Sequence, residues 1–339
     1  MKYKLIISAL VVTFLFNVKP EARAQDKYAG EFLAIGVGGR PLGMGGAYVA
    51  LVNDVTAGYW NPASLSKINY PQFSLMHDER FGSLVNYDYG SVGIPFGKEA
   101  SLGLSVIRMG IDDIPDTREA LIDLNGNGVL DPGERLDPDK IKHFSTTDYA
   151  FYVTYAKRHS DAFSYGANLK VIRRNIAEES AWGLGLDVGF SYNPFGRFYL
   201  GANLQDLTTT YLSWSTGKKE LIKPTAKIGT AYQFDFLSGV ITPALDFDVR
   251  FENRQESANA HLGPVSFDMH AGIEYTFKNL FSIRTGYNDL GNLTLGAGVQ
   301  LPKINIDYSF AKFDGTEDLG NTHRISLTFT LEEEKFQRH

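Results

Sequence analysis

The chain has 339 residues, 43% of them hydrophobic and 21% charged, with 34 Gly, 23 Phe, 18 Tyr and no Cys. Lack of cysteine excludes a disulfide scaffold, thiolate metal sites and cysteine catalysis. The net charge of −6 gives no electrostatic reason to expect nucleic-acid binding. Beyond residue 18 no apolar run approaches the ~20 residues of a membrane helix, so a polytopic helical membrane protein is excluded.

The first element is an address. Lys2 and Lys4 form a short positive region, Leu5 to Val18 an apolar stretch, and Ala22-Arg23-Ala24 a small-x-small cleavage site. This pattern predicts a cleaved signal peptide over residues 1–24, with the mature chain starting at Gln25. Its removal leaves an acidic, exported chain of net charge −9, with no cysteine to carry a lipid anchor.

Residues 25–69 form a second unit, rich in glycine (Gly36, Gly38, Gly39, Gly43, Gly45, Gly46) and followed by Trp60-Asn61-Pro62-Ala63. No GxGxxG or GxxxxGK[ST] can be aligned, so a nucleotide loop is not expected. A compact plug fits better, because glycine lets backbone pack closely against neighbouring side chains.

From residue 70 the chain alternates with period two. Val265, Phe267, Met269, Ala271, Ile273, Tyr275 and Phe277 alternate with Ser266, Asp268, His270, Gly272, Glu274, Thr276 and Lys278. Trp182 to Asn193 and Phe163 to Val171 repeat the pattern. Successive strand side chains point to opposite faces, so each segment reads as a strand with one apolar face. Fourteen such segments lie near 70–78, 84–95, 99–109, 144–158, 163–177, 181–193, 197–206, 222–235, 238–251, 265–277, 280–290, 292–301, 303–313 and 321–331. Their length suits the ~9–11 tilted residues that cross a bilayer, and an even count is what outer-membrane barrels use. Small and charged residues share the polar face (Gly183, Gly185, Asp187, Lys170, Asp268, Glu274, Arg284, Asp307), which suits a tight, hydrated or plugged lumen. Within it, Asp268, His270, Glu274 and Arg284 form the candidate polar cluster.

Short turns at 95–98, 159–161, 193–196, 278–279 and 302–303 alternate with mostly longer connections, notably 110–143, 207–221, 252–264 and 314–320. Such asymmetry is that of periplasmic turns and surface loops. Aromatics beside the short turns (Tyr192, Phe195, Phe198, Tyr199, Phe234, Phe236, Tyr275, Phe277, Phe281) fit an interfacial girdle. The expected fold is an all-β, 14-stranded antiparallel transmembrane barrel over residues 70–331 with an N-terminal plug, placed in the outer membrane. A charged tail, 332–339, follows the last strand.

The long 110–143 connection carries a 12-residue pattern, Asp123 to Glu134. Asp123, Asn125, Asn127, Asp131 and Glu134 supply side-chain oxygens, Val129 a carbonyl, and Gly128 the sharp turn. Hard cations take six to eight oxygens, and this spacing wraps them around one point, so structural calcium is expected. No HExxH or GxSxG occurs; lumen charges are expected to pair across strands, and no catalytic residue is assigned.

The stretch from Gly36 to Ile68 resembles the N-terminal signature of the PorV/PorQ family, related to the FadL long-chain fatty-acid channel. The matches are Arg40-Pro41-Leu42-Gly43-Met44-Gly45-Gly46-Ala47 and Tyr59-Trp60-Asn61-Pro62-Ala63. The resemblance covers about a tenth of the chain. It implies a 14-stranded barrel with an N-terminal hatch, and puts Asn61-Pro62 in a hatch turn inside it. PorV-type members imply an accessory role in type IX secretion, with secretion components or exported cargo as partners. FadL-type members imply a passive channel for hydrophobic small molecules.

Overall fold

In the computed structural model, which describes residues 30–252, 254, 257–312 and 321–338, fourteen strands follow one another. They are β1 (Gln72–Arg80), β2 (Val85–Phe96), β3 (Ala100–Asp116), β4 (Lys142–Arg158), β5 (Phe163–Ile176), β6 (Glu179–Tyr192) and β7 (Phe198–Gln205). The second half comprises β8 (Thr225–Tyr232), β9 (Gly239–Arg250), β10 (Val265–Phe277), β11 (Phe281–Tyr287), β12 (Leu293–Gln300), β13 (Ile304–Lys312) and β14 (Asn321–Thr330). Each pairs antiparallel with its chain neighbours, and β14 returns to β1 with Phe329 opposite Phe73. The sheet is therefore a closed barrel without an edge. The signal peptide and the 314–320 loop fall outside the described residues.

Alternation decides which side chain faces where. Along β10 the polar positions Ser266, Asp268, His270 and Glu274 are buried inward, while Met269, Ile273 and Phe277 are exposed outward. The outward face is apolar on most strands, with Leu104, Val153, Leu184, Ile228, Ile283 and Ile325 each more than half exposed. A monomeric soluble protein does not present so continuous an apolar wall, whereas hydrocarbon requires one.

Two boundaries differ from the sequence reading. The wall rises further than expected on one side: β3 runs to Asp116 and β4 starts at Lys142, past a register shift between Ile111 and Ile114. The connecting loop thus shrinks to 117–141, tied by a two-residue ribbon, Leu121–Ile122 against Arg135–Leu136. Within 207–221, Thr210–Trp214 pairs with both Lys219–Ile222 and the first residues of β6, so that connection is sheet as well. Tyr199 departs from the girdle; it packs inward, its hydroxyl donating to Gln233 Oε1 at 3.0 Å.

Residues 30–68 supply much of the apolar core. Val37, Met44, Tyr48, Val52, Val55, Trp60, Leu65 and Ile68 are buried. Trp60 sits edge-on to Tyr48 and Tyr59 and donates its Nε1–H to Val37 O at 2.9 Å. This segment hydrogen-bonds to β1, β4–β7, β9, β10, β12 and β14, which places it inside the barrel.

Candidate functional site

The lumenal segment is held by glycines that let it approach and by polar side chains that satisfy its backbone. Asn61 caps the short 3-10 helix Pro62–Lys67, accepting from Ala63 N, and its Nδ2 donates to Val49 O and to Phe190 O on β6. A Cβ at Gly189 would lie 2.3 Å from Asn61 Oδ1, and one at Gly166 would lie 2.6 Å from the Pro62 carbonyl carbon. Only residues without a side chain let this turn seat against β5 and β6. Asn61-Pro62 forms the turn that packs against β5 and β6.

Elsewhere the segment's N–H and C=O groups meet lumen side chains. Asp246 Oδ2 on β9 accepts from Tyr48 N and Val49 N, both at 2.7 Å. Ser326 Oγ accepts from Gly39 N, and Thr294 Oγ1 donates to Gly43 O. Asn168 Nδ2 donates to Gly58 O and Asn203 Nδ2 to Trp60 O. Buried backbone groups need such partners, and side chains provide them where no ladder can.

The four predicted cluster residues separate into two networks. Glu274 and Arg284 face each other across β10 and β11, and Arg284 also donates to Asp307 Oδ1 at 2.6 Å. Arg40 of the lumenal segment completes this group, with Nε and Nη2 donating to the two Glu274 oxygens at 2.9 and 2.8 Å. Asp268 belongs instead with Arg250 and Arg254. His270 shares a hydrogen bond with Gly45 O at 2.8 Å and lies 3.5 Å from Asp248, which also pairs Lys227. A third set joins Lys170 to Asp187 and Asp206, and a fourth joins Arg324 and Arg80 to Asp78. Asp246 and Asp248 were not singled out from sequence, and Arg40 was named only within the block that carries the resemblance. Asp246 and Asp248 stand at inward positions of an alternating strand, which was the available signal.

Beside this segment lies a cavity of about 140 Å³. Leu42, Tyr59, Trp60 and Leu290 are among its apolar lining, and Arg80, Lys227, Arg254, His270 and Arg324 among its charged and polar lining. At the opposite end, residues past β14 turn back over the exit of the segment. Arg338 donates to Ile68 O and Ala100 O, both at 2.8 Å, and Arg158 donates to Ser66 O. The charged tail is thereby tied to the barrel rim.

The Asp123–Glu134 loop folds as a closed set of local turns. Asp123 Oδ1 accepts from Asn125 N and Gly126 N, and its Oδ2 from Gly128 N. Asn125 and Asn127 both donate amide N–H to Asp131 Oδ2 at 2.7 Å, while Glu134 accepts from Leu124 N and Asp131 N. These bonds hold the Asp123 and Asp131 carboxyls below the usual range, Gly128 N–H contributing most for the first and the Asn125 amide for the second. The loop thus gathers Asp123, Asn125, Asn127, Asp131 and Glu134 together, with the Val129 backbone beside Asn127. Among the described residues, no three His, Asp or Glu side chains stand in a ready metal-holding group.

Solved structures with this architecture are FadL-type barrels. The Ralstonia pickettii toluene transporter TbuX matches with TM-score 0.56 and 14% identity over 87% of this chain and 98% of its own. The P. putida toluene transporter TodX matches with TM-score 0.57 and 11% identity over 88% and 99%. A Pseudomonas aeruginosa FadL homologue gives 0.55 and 12% over 87% and 98%. At such identities the likeness concerns the fold alone. No curated protein sequence matches the chain. The family model for the type IX secretion system membrane protein PorP/SprF matches residues 144–329, which leaves the glycine-rich signature outside it. The family found is therefore PorP/SprF, where residues 36–68 resemble PorV/PorQ. The protein is an outer-membrane barrel, and by this match over more than half its length it belongs to the PorP/SprF family of type IX secretion membrane proteins.

Proposed function

We propose that this barrel is a non-enzymatic accessory of protein export or surface attachment, acting through contacts of its outer loops and wall with secretion components or cargo. Residues 30–68 serve as its hatch. The observation that carries this reading is the lumen, where buried ion pairs and the hatch fill the space a conduit needs. Family membership supports the same direction. The test is an affinity pull-down from detergent-solubilised outer membranes, paired with deletion of the gene. Recovery of secretion components and loss of surface cargo are expected. Bound lipid alone, with intact cargo display, reverses the reading.

A second reading, passage of hydrophobic small molecules, draws support from the cavity wall of Leu42, Tyr59, Trp60 and Leu290. It requires loss of uptake on deletion while cargo display continues.

We also propose that the Asp123–Glu134 loop takes calcium on the oxygens of Asp123, Asn125, Asn127, Asp131 and Glu134 and the Val129 carbonyl. The chemistry of this donor set, carboxylates and amides brought together on one loop, fits a hard cation. Bound calcium would supply charge neutralisation and order to the surface loop. Calcium is expected to protect residues 117–141 from protease, and Asp123→Ala with Glu134→Ala to abolish that protection. Protection equal with and without calcium in the unmutated protein sinks the proposal.

A further inference from the structure

The outward wall is not uniformly apolar. On β10, Val265, Phe267, Met269, Ala271, Ile273, Tyr275 and Phe277 keep the outward row apolar along the whole length of the thirteen-residue strand. On β1 only Phe73 and Leu75 precede His77 and Glu79 on the outward face. The outward row of β2 changes from Ile94 and Val92 to Asp88, and that of β3 from Leu102, Leu104 and Val106 to Arg108.

Depth follows from counting. From the short-turn ends, His77 is the sixth residue of its strand, Glu79 the eighth, and Asp88 and Arg108 the ninth. A tilted strand takes about 9–11 residues to cross the hydrocarbon. All four polar residues therefore fall within the span, not above it.

They are also one cluster. His77 stands opposite Asp88, and Asp88 opposite Arg108. His77 Nδ1 shares a 2.7 Å hydrogen bond with Asp88 Oδ1, and Arg108 Nη1 donates to Asp88 Oδ2 at 3.2 Å. Glu79 accepts the Ser83 hydroxyl at 3.1 Å and lies 3.5 Å from His77 Nε2, and among the described residues no guanidinium or ammonium pairs it. The patch continues onto β14, where His323 stands opposite Glu79 and bonds the Tyr308 hydroxyl. The side chains of His77 and Glu79 are 54% and 55% exposed, so the barrel itself does not cover them.

A lipid-facing arginine costs about 2–4 kcal/mol at the bilayer midplane and less towards the interface, with acids costing less. A polar partner removes that cost where acyl chains cannot. Asp88 has the Arg108 guanidinium, whereas Glu79 has only the His77 imidazole, which Asp88 shares. We infer that the outward face of β1–β3 seats a second integral outer-membrane protein, whose own wall presents a cation and hydrogen-bond donors to Glu79 and Asp88. This inference rests on the barrel's place in the outer membrane and not on a role in export, so it stands if deletion leaves cargo display intact.

The test uses the tagged full-length protein in its own outer membranes. The sequence has no cysteine, so Asn86→Cys, opposite Glu79, and Ile273→Cys on β10 each give one thiol for a photoactivatable maleimide. Illumination is expected to give, from position 86, an adduct with a different membrane protein whose joined peptide carries Lys or Arg. From position 273 no protein adduct is expected. Adding Glu79→Lys and Asp88→Lys should cut the adduct at least fivefold while the heat-modifiable mobility of the folded barrel is kept. If that variant does not fold, the isosteric pair Glu79→Gln and Asp88→Asn replaces it, with at least a threefold drop expected. No adduct at position 86, equal adducts at both positions, an adduct with a second copy of this chain, or indifference to the charge changes overturns the inference.

Discussion

Asp246→Ala isolates what holds the lumenal segment. The Asp246 carboxylate is 1% exposed, and its Oδ2 accepts two backbone N–H groups, those of Tyr48 and Val49, at 2.7 Å each. A hydrogen bond to a charged group nets about 1.5–3 kcal/mol, so the pair sets about 3–6 kcal/mol on local docking. Since each 1.4 kcal/mol is tenfold, opening around residues 48–49 should become roughly 10²–10⁴ times more frequent. Amide hydrogen exchange of the detergent-solubilised protein reads this directly, because local opening governs exchange of buried amides. Asp246→Asn keeps an oxygen at that position and should recover a large part of the protection. Unchanged exchange at Tyr48 and Val49 in Asp246→Ala would refute the argument. So would an equal loss across β12 and β13, which would mean the barrel and not the segment had opened.

Three further outcomes follow. Gly286→Val should displace the lumenal segment, since a Cβ there would lie 2.2 Å from the Met44 carbonyl carbon and 2.3 Å from Gly45 N; new protease cleavage between residues 30 and 68 checks it. Arg284→Ala removes a buried partner from both Glu274 and Asp307, and breaking such a pair costs about 3–5 kcal/mol; a lowered denaturation midpoint should show it, with Arg284→Lys recovering only part. Whatever residual protease resistance the metal-free 117–141 loop has should not fall between neutral pH and the ordinary carboxylate range. The Asp123 and Asp131 carboxyls are depressed in the folded loop, so the stability they add is complete above their unfolded values and lost only as pH falls through the folded ones. Loss of protection already near pH 6 contradicts that sign.

The barrel was legible because its wall separates two solvents, and alternation records that separation residue by residue. The signal fails where the solvents stop differing. Beyond Arg108 the β3 wall no longer meets hydrocarbon, the apolar row ends, and the strand reads as loop although pairing continues to Asp116 and Lys142. Lumen polarity was equally legible, but its pairings were not. Arg40 reaches Glu274 from 234 residues away, and Asp246 meets Tyr48 from 198 residues away. Those distances in sequence are closed by strand tilt and by the path of the inner segment, neither of which is written in local periodicity.

That wiring bears on function. The polar inner face suits a tight, hydrated or plugged lumen, and its carboxylates and amides are engaged by the chain's own backbone and by buried cations. Moving residues 30–68 aside would leave Asp246, Glu274 and Asn168 facing an open lumen and would strip the Tyr48, Val49 and Gly39 N–H groups of their acceptors. Water could satisfy those groups, whereas an apolar solute could not. A lumen built this way favours a sealed wall over a hydrocarbon path. On the proposed role, the surfaces left for recognition are the loops above β3–β6 and the polar strip on β1–β3.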